Sequence, residues 1–289
     1  MSSTFLSECK DKVFHKMASL LEGKDQVTLS MRYSALADSK YIRSGLVFAS
    51  GHLTGRLSDL ALVDMAASLE LMHTYSLIHD DLPAMDNDDM RRGQASNHIV
   101  FNEATSILAG DALQALAFEV IASSAHIQDK HKIEIIKSLA VACGHQGMVL
   151  GQQFDLDAEH KKFHDIERIH TLKTAKLIQV ALTMPHLDEN QSLAPYSLLY
   201  ELGEKLGLAF QIMDDVLEAS SDSGTLGKSN ASDIENKKMT YVSVFGVVES
   251  ERRAGELLAW CTDRINQTFT ESQARHLIEL AHYMVARSH

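Results

Sequence analysis

An all-α fold is predicted by three observations on this 289-residue chain. Only three prolines and fifteen glycines interrupt it, strong helix formers are plentiful, and apolar residues recur at three- and four-residue steps over long stretches. With 45% apolar and 23% charged residues the chain can bury a large core, and no linker or fixed-period repeat divides it, so one domain over residues 1–289 is expected.

Phe5 to Leu21 reads as an amphipathic outer helix. Leu60 to Asp81 is apolar or small at nearly every position until His73, the pattern of a buried central helix. Pro83 biases the residue before it away from α, so this helix should end near Asp81 or Leu82, followed by the polar loop MDNDDMRRGQ. Asn102 to Ser124, Lys132 to Gln153 and Asp165 to Leu182 read as three further helices. Pro185 and Pro195 bracket a connection, Tyr196 to Ser220 is a second long apolar helix, and Ser220 to Asn236 is a loop by composition. Helical periodicity resumes from Tyr241 to Arg287.

A formal charge of −12 without a basic tract argues against nucleic acid as a partner. Cys9, Cys143 and Cys261 are widely spaced and odd in number, which points to reduced thiols in a cytoplasmic protein rather than a zinc or redox site. The N-terminus mixes both charge signs and lacks an apolar stretch of signal length. No run of about 18 apolar residues is seen, so no membrane span is expected.

Chemistry concentrates at the ends of the two apolar helices. Asp80, Asp81, Asp86, Asp88 and Asp89 place five carboxylates in ten residues, directly before Arg91 and Arg92. At a helix C-terminus each carboxylate is disfavoured by roughly 0.3–1 kcal/mol, a penalty that a cation relieves. Magnesium takes one or two carboxylates together with waters and phosphate oxygens, and the arginines are suited to gripping the phosphates. A solvated acidic loop is the plainer explanation of this cluster alone. A second cluster, Asp214, Asp215 and Glu218, closes the apolar stretch LGLAFQIMDDVLEA, with Asp214 and Glu218 one turn apart on one face. Carboxylates among apolar neighbours need a counter-charge, and two such clusters in one chain favour the metal-phosphate reading.

SLIHDDLPAMDNDDMRRG and FQIMDDVLE resemble the two aspartate-rich motifs of the trans-isoprenyl diphosphate synthases. The DDxxxxD spacing of the first is similar to that of the bacterial farnesyl diphosphate synthases. The resemblance extends through ILAGDALQALAF, GMVLGQQFDLDAE, HTLKTAKLI, TLGK and KKMTY, in family order. It implies an all-α bundle around a deep central cavity, and a homodimer. By the same resemblance, Asp80, Asp81, Asp86 and Asp214, with Asp215 and Glu218, would bind three Mg²⁺ at the diphosphate of an allylic substrate. Arg91, Lys173, Lys228 and Lys238 would stabilise the leaving pyrophosphate, and Thr174 and Gln211 would border the reacting carbons. The alternative for Thr174 and Gln211 is that each hydrogen-bonds to its neighbours. The resemblance assigns catalysis to Asp80, Asp81, Lys173, Thr174, Gln211 and Asp214. Isopentenyl diphosphate would be held by Lys40, Arg43, His73 and Arg92; His73 alone would read as a core histidine.

The chain departs from the family at ADSKYIRSGL, where GGKRxRP is usual: Asp38 and Ser39 replace glycines, Tyr41 the first arginine and Ser44 the proline. Weaker acceptor binding or another loop path is expected there. Smaller departures are Glu218 for aspartate, Ala175 for glycine and Val242 for proline. Tyr75 lies five residues and about 7.5 Å before Asp80, with Ser76 on the Asp80 face; the resemblance implies that an aromatic there sets product length at C15, the alternative being an ordinary core aromatic. Alternatives are a geranylgeranyl or geranyl diphosphate synthase, or a non-catalytic paralogue that binds allylic diphosphate. A terpene cyclase fits less well, because Asp214, Asp215 and Lys40 depart from the metal motif and acceptor pocket of that class.

Overall fold

The computed structural model describes residues 2–159, 164–187, 194–225 and 239–286. All-α is the observed class: among the described residues the sole strands are a two-residue pair. Two compact units divide the chain.

The first unit takes Met1–Leu139 and Thr183–Asn190. It contains α1 (Ser2–Leu20), α2 (Gln26–Ala35), α3 (Ile42–Thr54), α4 (Asp59–Asp80), a hairpin of β1 (Met90–Arg91) and β2 (Gln94–Ala95), α5 (Asn97–Phe101), α6 (Glu103–Ser123) and most of α7 (Asp129–Cys143). Ser58 caps α4 by accepting from Ala61 N, and α4 then packs against α1, α2, α3 and α6. Its central position explains its composition. Leu62, Met65, Leu69, Leu71 and Met72 are fully buried, each worth about 1.5–3 kcal/mol. The polar groups that α4 carries into this core are matched one by one. Asp64 takes Lys16 Nζ at 2.8 Å and Ser124 Oγ at 2.6 Å, and Ser68 Oγ donates to Ala117 O at 2.6 Å. Asn97 ties α2, α5 and α6 together: its Oδ1 accepts from Ser30 Oγ and Ser106 Oγ, and its Nδ2 donates to Ser30 O and Ser34 Oγ.

The second unit takes Ala140–Leu182 and Gln191–His289. It holds α8 (Met148–Glu159), α9 (Ile166–His170), a π-helical turn over Thr171–Ala175, α10 (Lys176–Thr183), α11 (Ala194–Thr225), α12 (Tyr241–Phe245), α13 (Val247–Thr268) and α14 (Glu271–Val285). α11 packs on the π turn and on α12, α13 and α14, burying Leu199, Leu202, Ala209 and Ile212. Thr240 and Thr270 open α12 and α14 with capping boxes.

Several expected boundaries shift. The helix expected over 132–153 is two, because the chain turns at Gly144–Gly147, where Gly147 N reaches Gly144 O. The stretch 165–182 is broken by the π turn, which periodicity cannot register. α11 continues to Thr225, past the expected start of its loop; residues 226–238, with Lys228 and Lys238, lie outside the described residues. α2 and α3 occupy a stretch for which no element was expected, and Gly246 divides the last helical region at φ 81°. Where no membrane span was expected, Glu103–Ser123 and Asp129–Glu159 are long and apolar enough by length and composition, a test that core helices also pass. The apolarity of α6 is partly that of a core helix, since it packs on α2, α4 and α5. All three cysteines are buried thiols, and burial pushes each pKa up to about 12, so they stay protonated.

Candidate active site

At the end of α4 the chain folds back on itself. Asp86 N donates to Asp80 O at 2.8 Å and Asn87, at φ 53°, donates to Leu82 O, so the third aspartate returns beside the first. Asp80 and Asp86 are half-buried there. Asp81 has a different setting: it is 2% exposed and receives Arg91 Nε at 2.8 Å, while Arg91 Nη2 also reaches Asp88. Burial pushes the Asp81 carboxyl above its ordinary pKa, and Arg91 works against that. The hairpin presents these arginines. Arg92 and Gly93 both have positive φ, the signature of a type I′ turn, and Tyr33 Oη holds β2 by donating to Ala95 O at 2.8 Å.

A basic cluster lies along α3 and α4. Arg43 Nη1 is 3.1 Å from His73 Nε2; because a guanidinium only donates, Nε2 accepts and the imidazole is neutral. Burial, then Arg43, Arg92 and Arg91, hold His73 well below the ordinary histidine pKa. Lys40 is exposed and Arg92 half-buried. The altered turn follows its own path. Tyr41 adopts φ 50° as the residue before α3, Asp38 is neutralised by Lys10 at 2.6 Å, and Ser44 N and Oγ both donate to Glu70 Oε1 at 3.0 and 2.8 Å. Glu70 went unrecognised in the sequence, although a lone carboxylate in the apolar run of α4 signals a buried partner. Tyr75 is buried, its ring edge-on to His79, and Ser76 Oγ donates to His73 O.

In the second unit the π turn sets the geometry. α8 and α11 approach it closely: a Cβ at Gly151 would lie 2.4 Å from Lys173 N, and one at Gly207 2.5 Å from Ala175 Cα. Lys173 Nζ reaches the buried Asp155 at 2.7 Å. Thr174 Oγ1 donates to Gln211 Oε1 at 2.8 Å, and Gln211 Nε2 donates to Asp215 Oδ1 at 3.2 Å. Asp215, 5% exposed, also faces His170 Nε2 at 3.0 Å and accepts from Tyr241 N at 2.6 Å. Asp214 is half-buried and Glu218 exposed. His170, Asp155 and Tyr241 went unrecognised because each pairs with a residue 18 to 45 positions away.

The neighbour-bonding alternative for Thr174 and Gln211 is therefore realised, and it leaves a chemical capacity intact: by donating its proton to Gln211, Thr174 keeps oxygen lone pairs for a nearby positive charge. Among the described residues no three His, Cys, Asp or Glu side chains gather as a self-sufficient metal site. Half-buried carboxylates are oxygen donors of the kind that a hard cation takes together with water and phosphate.

Comparison with known proteins identifies the family. The polyprenyl synthetase family model matches residues 24–280. Farnesyl diphosphate synthase of Escherichia coli (strain K12) is 41% identical over 270 residues, covering 91% of this chain and 89% of that protein. Geranylgeranyl pyrophosphate synthase 7, chloroplastic, of Arabidopsis thaliana is 37% identical, covering 89% and 75%. The crystal structure of a geranyltransferase from Legionella pneumophila superposes with a TM-score of 0.87 at 32% identity, covering 100% of this chain and 98% of that one. With an acidic cluster on each of α4 and α11 and a family match over most of its length, this chain belongs to the polyprenyl synthetase family.

Proposed function

We propose that the protein is a farnesyl diphosphate synthase, condensing isopentenyl diphosphate with dimethylallyl and then geranyl diphosphate. The observation that carries this reading is the division of labour within each acidic pair: Asp81 and Asp215 are buried and hydrogen-bonded, while Asp80 and Asp214 stay half-buried beside Asp86 and Glu218. Asp80, Asp86 and Asp214, with Glu218 through water, would hold Mg²⁺, three ions per site by the resemblance; Asp81 and Asp215 position their neighbours. The bound Mg²⁺ supplies Lewis-acid stabilisation of the leaving diphosphate.

The C–O bond of the allylic diphosphate breaks and its electron pair leaves on pyrophosphate. Arg91 and Lys173, with Lys228 and Lys238, stabilise that charge. The Thr174 oxygen faces the allylic cation. The double bond of isopentenyl diphosphate, held by Lys40, Arg43, His73 and Arg92, attacks the cation, and the resulting C2 proton passes to pyrophosphate. Tyr75 closes the path of the growing chain, which favours C15 over the C20 product named for the Arabidopsis relative.

We take the catalytic chain to be one domain acting in the cytoplasm, where its buried thiols suit a reducing compartment. It pairs with a second copy through the apolar surface formed by Ile99, Val100, Ile107 and Leu108, all exposed on α5 and α6. Sedimentation should give a dimer that Leu108→Glu dissociates.

Incubation with Mg²⁺, isopentenyl diphosphate and dimethylallyl or geranyl diphosphate, followed by dephosphorylation, should yield farnesol, and chelation should abolish it. Geranylgeraniol would keep the chemistry and reject the length assignment. Metal-dependent allylic binding without product would make the chain a binding paralogue. Tyr75→Ala should lengthen the product; an unchanged profile removes Tyr75 from the length argument.

A further inference from the structure

Tyr41 stands apart from the other buried side chains around the basic cluster. It is 3% exposed, with the Lys10 ammonium 5.8 Å from its ring centroid, and its hydroxyl has no hydrogen-bond partner among the described residues. A buried hydroxyl left unpaired costs about 1–3 kcal/mol, a penalty that a bound acceptor would remove. Its surroundings specify the charge of that acceptor. The Arg92 guanidinium is half-buried, forms no hydrogen bond among the described residues, and lies within electrostatic reach of the phenol. Lys40, the preceding residue, is exposed and has no partner among the described residues. The nearby carboxylates are committed elsewhere: Glu70 Oε1 takes both Ser44 donors, and Asp38 is drawn to Lys10. Two cations and one O–H donor therefore remain without a hydrogen bond among the described residues, a set of groups suited to a multiply charged oxyanion.

We infer that the Tyr41 hydroxyl is a specificity-determining donor to the diphosphate of isopentenyl diphosphate, acting with Arg92 and Lys40. The inference rests on the proposed function and deepens it. It also explains how a turn that carries Asp38 and Ser39 retains an acceptor site. Lys10 offsets the added negative charge, the left-handed Tyr41 (φ 50°) buries its hydroxyl, and Ser44 fastens α3 to α4 through Glu70.

Tyr41→Phe tests it, because the variant removes only an unpaired hydroxyl and should melt no lower than the wild type. The KM for isopentenyl diphosphate should rise about tenfold, the effect of one hydrogen bond to a charged group, with kcat and the allylic KM unchanged. An unchanged acceptor KM, or a lowered melting temperature with both KM values altered together, would overturn the assignment. Should the wild type form no product, the proposed function fails on its own. Calorimetric titration of isopentenyl diphosphate into both proteins then decides Tyr41: tenfold weaker binding by the variant supports it and equal binding rejects it.

Discussion

At the end of α4 the buried aspartate, Asp81, is held by a permanent cation, Arg91, whereas on α11 its counterpart Asp215 is held by His170, the Gln211 amide and the Tyr241 backbone N–H. Both arrangements bury one aspartate of the pair and leave its neighbour, Asp80 or Asp214, half-buried. They differ in what they bring along. The first motif gathers arginines, since Arg91 follows ten residues later on a hairpin beside Arg92 and within reach of His73. The second builds a chain of hydrogen bonds from Thr174 through Gln211 to Asp215, which fixes the Thr174 hydroxyl by geometry rather than by charge. Around Asp81 the polar groups are held by charge, and around Asp215 by oriented hydrogen bonds.

The largest effect should come from the outward aspartates. Asp80→Ala and Asp214→Ala are each expected to lower kcat about 10²- to 10³-fold in a metal-saturated product assay, with a smaller loss of stability than the inward members show. A comparable loss of stability would break the division between outward and inward members.

The inward members should show the reverse emphasis. Asp215→Asn leaves buried donors mismatched and should cost about 2–3 kcal/mol in urea unfolding. Asp81→Asn should cost roughly 2 kcal/mol, less than the loss of a fully buried ion pair, because Arg91 is partly solvated and keeps Asp88. Equal costs with no change on raising the salt concentration would show that the Arg91 cation adds nothing beyond a hydrogen bond.

Gly151→Ala would force a methyl group against Lys173 N and should cost about 1–3 kcal/mol, displacing the π turn. The allylic KM should rise with it; an allylic KM that stays constant would separate the turn from substrate binding.

The smallest effect concerns the arginine-rich side. His73 has a folded pKa below its unfolded value, so its contribution to stability is present above pH 6.5 and lost as the pH falls toward the folded value. His73→Gln should flatten the dependence of unfolding free energy on pH below 6.5 by at most about 1.4 kcal/mol per pH unit. Parallel curves for the two proteins would mean that His73 titrates normally.

Asp80, Asp86, Asp214 and Glu218 were legible because clustered carboxylates at the ends of apolar helices contradict their surroundings. The all-α class was legible for a related reason: scarce proline and repeated three- and four-residue spacing act within single helices. Two signals were present and missed. The glycines at 144 and 147 mark the break between α7 and α8, and Glu70 is a charge in an apolar run.

Asp155 with Lys173, His170 with Asp215, Ser44 with Glu70 and Asp38 with Lys10 left no such trace. Periodicity reports which face of a helix is turned inward, but the partner that meets that face is chosen by packing between distant segments. The amino-acid sequence by itself thus determined the all-α class, most of the long helices, the two acidic motifs and the family. Tertiary structure alone decided which aspartate of each pair is buried, that Thr174 is a donor to Gln211, and that Tyr41 carries its hydroxyl inward unpaired. Those outcomes depend on close approach, such as the contact of α8 and α11 with the π turn, and close approach is a property of the folded chain.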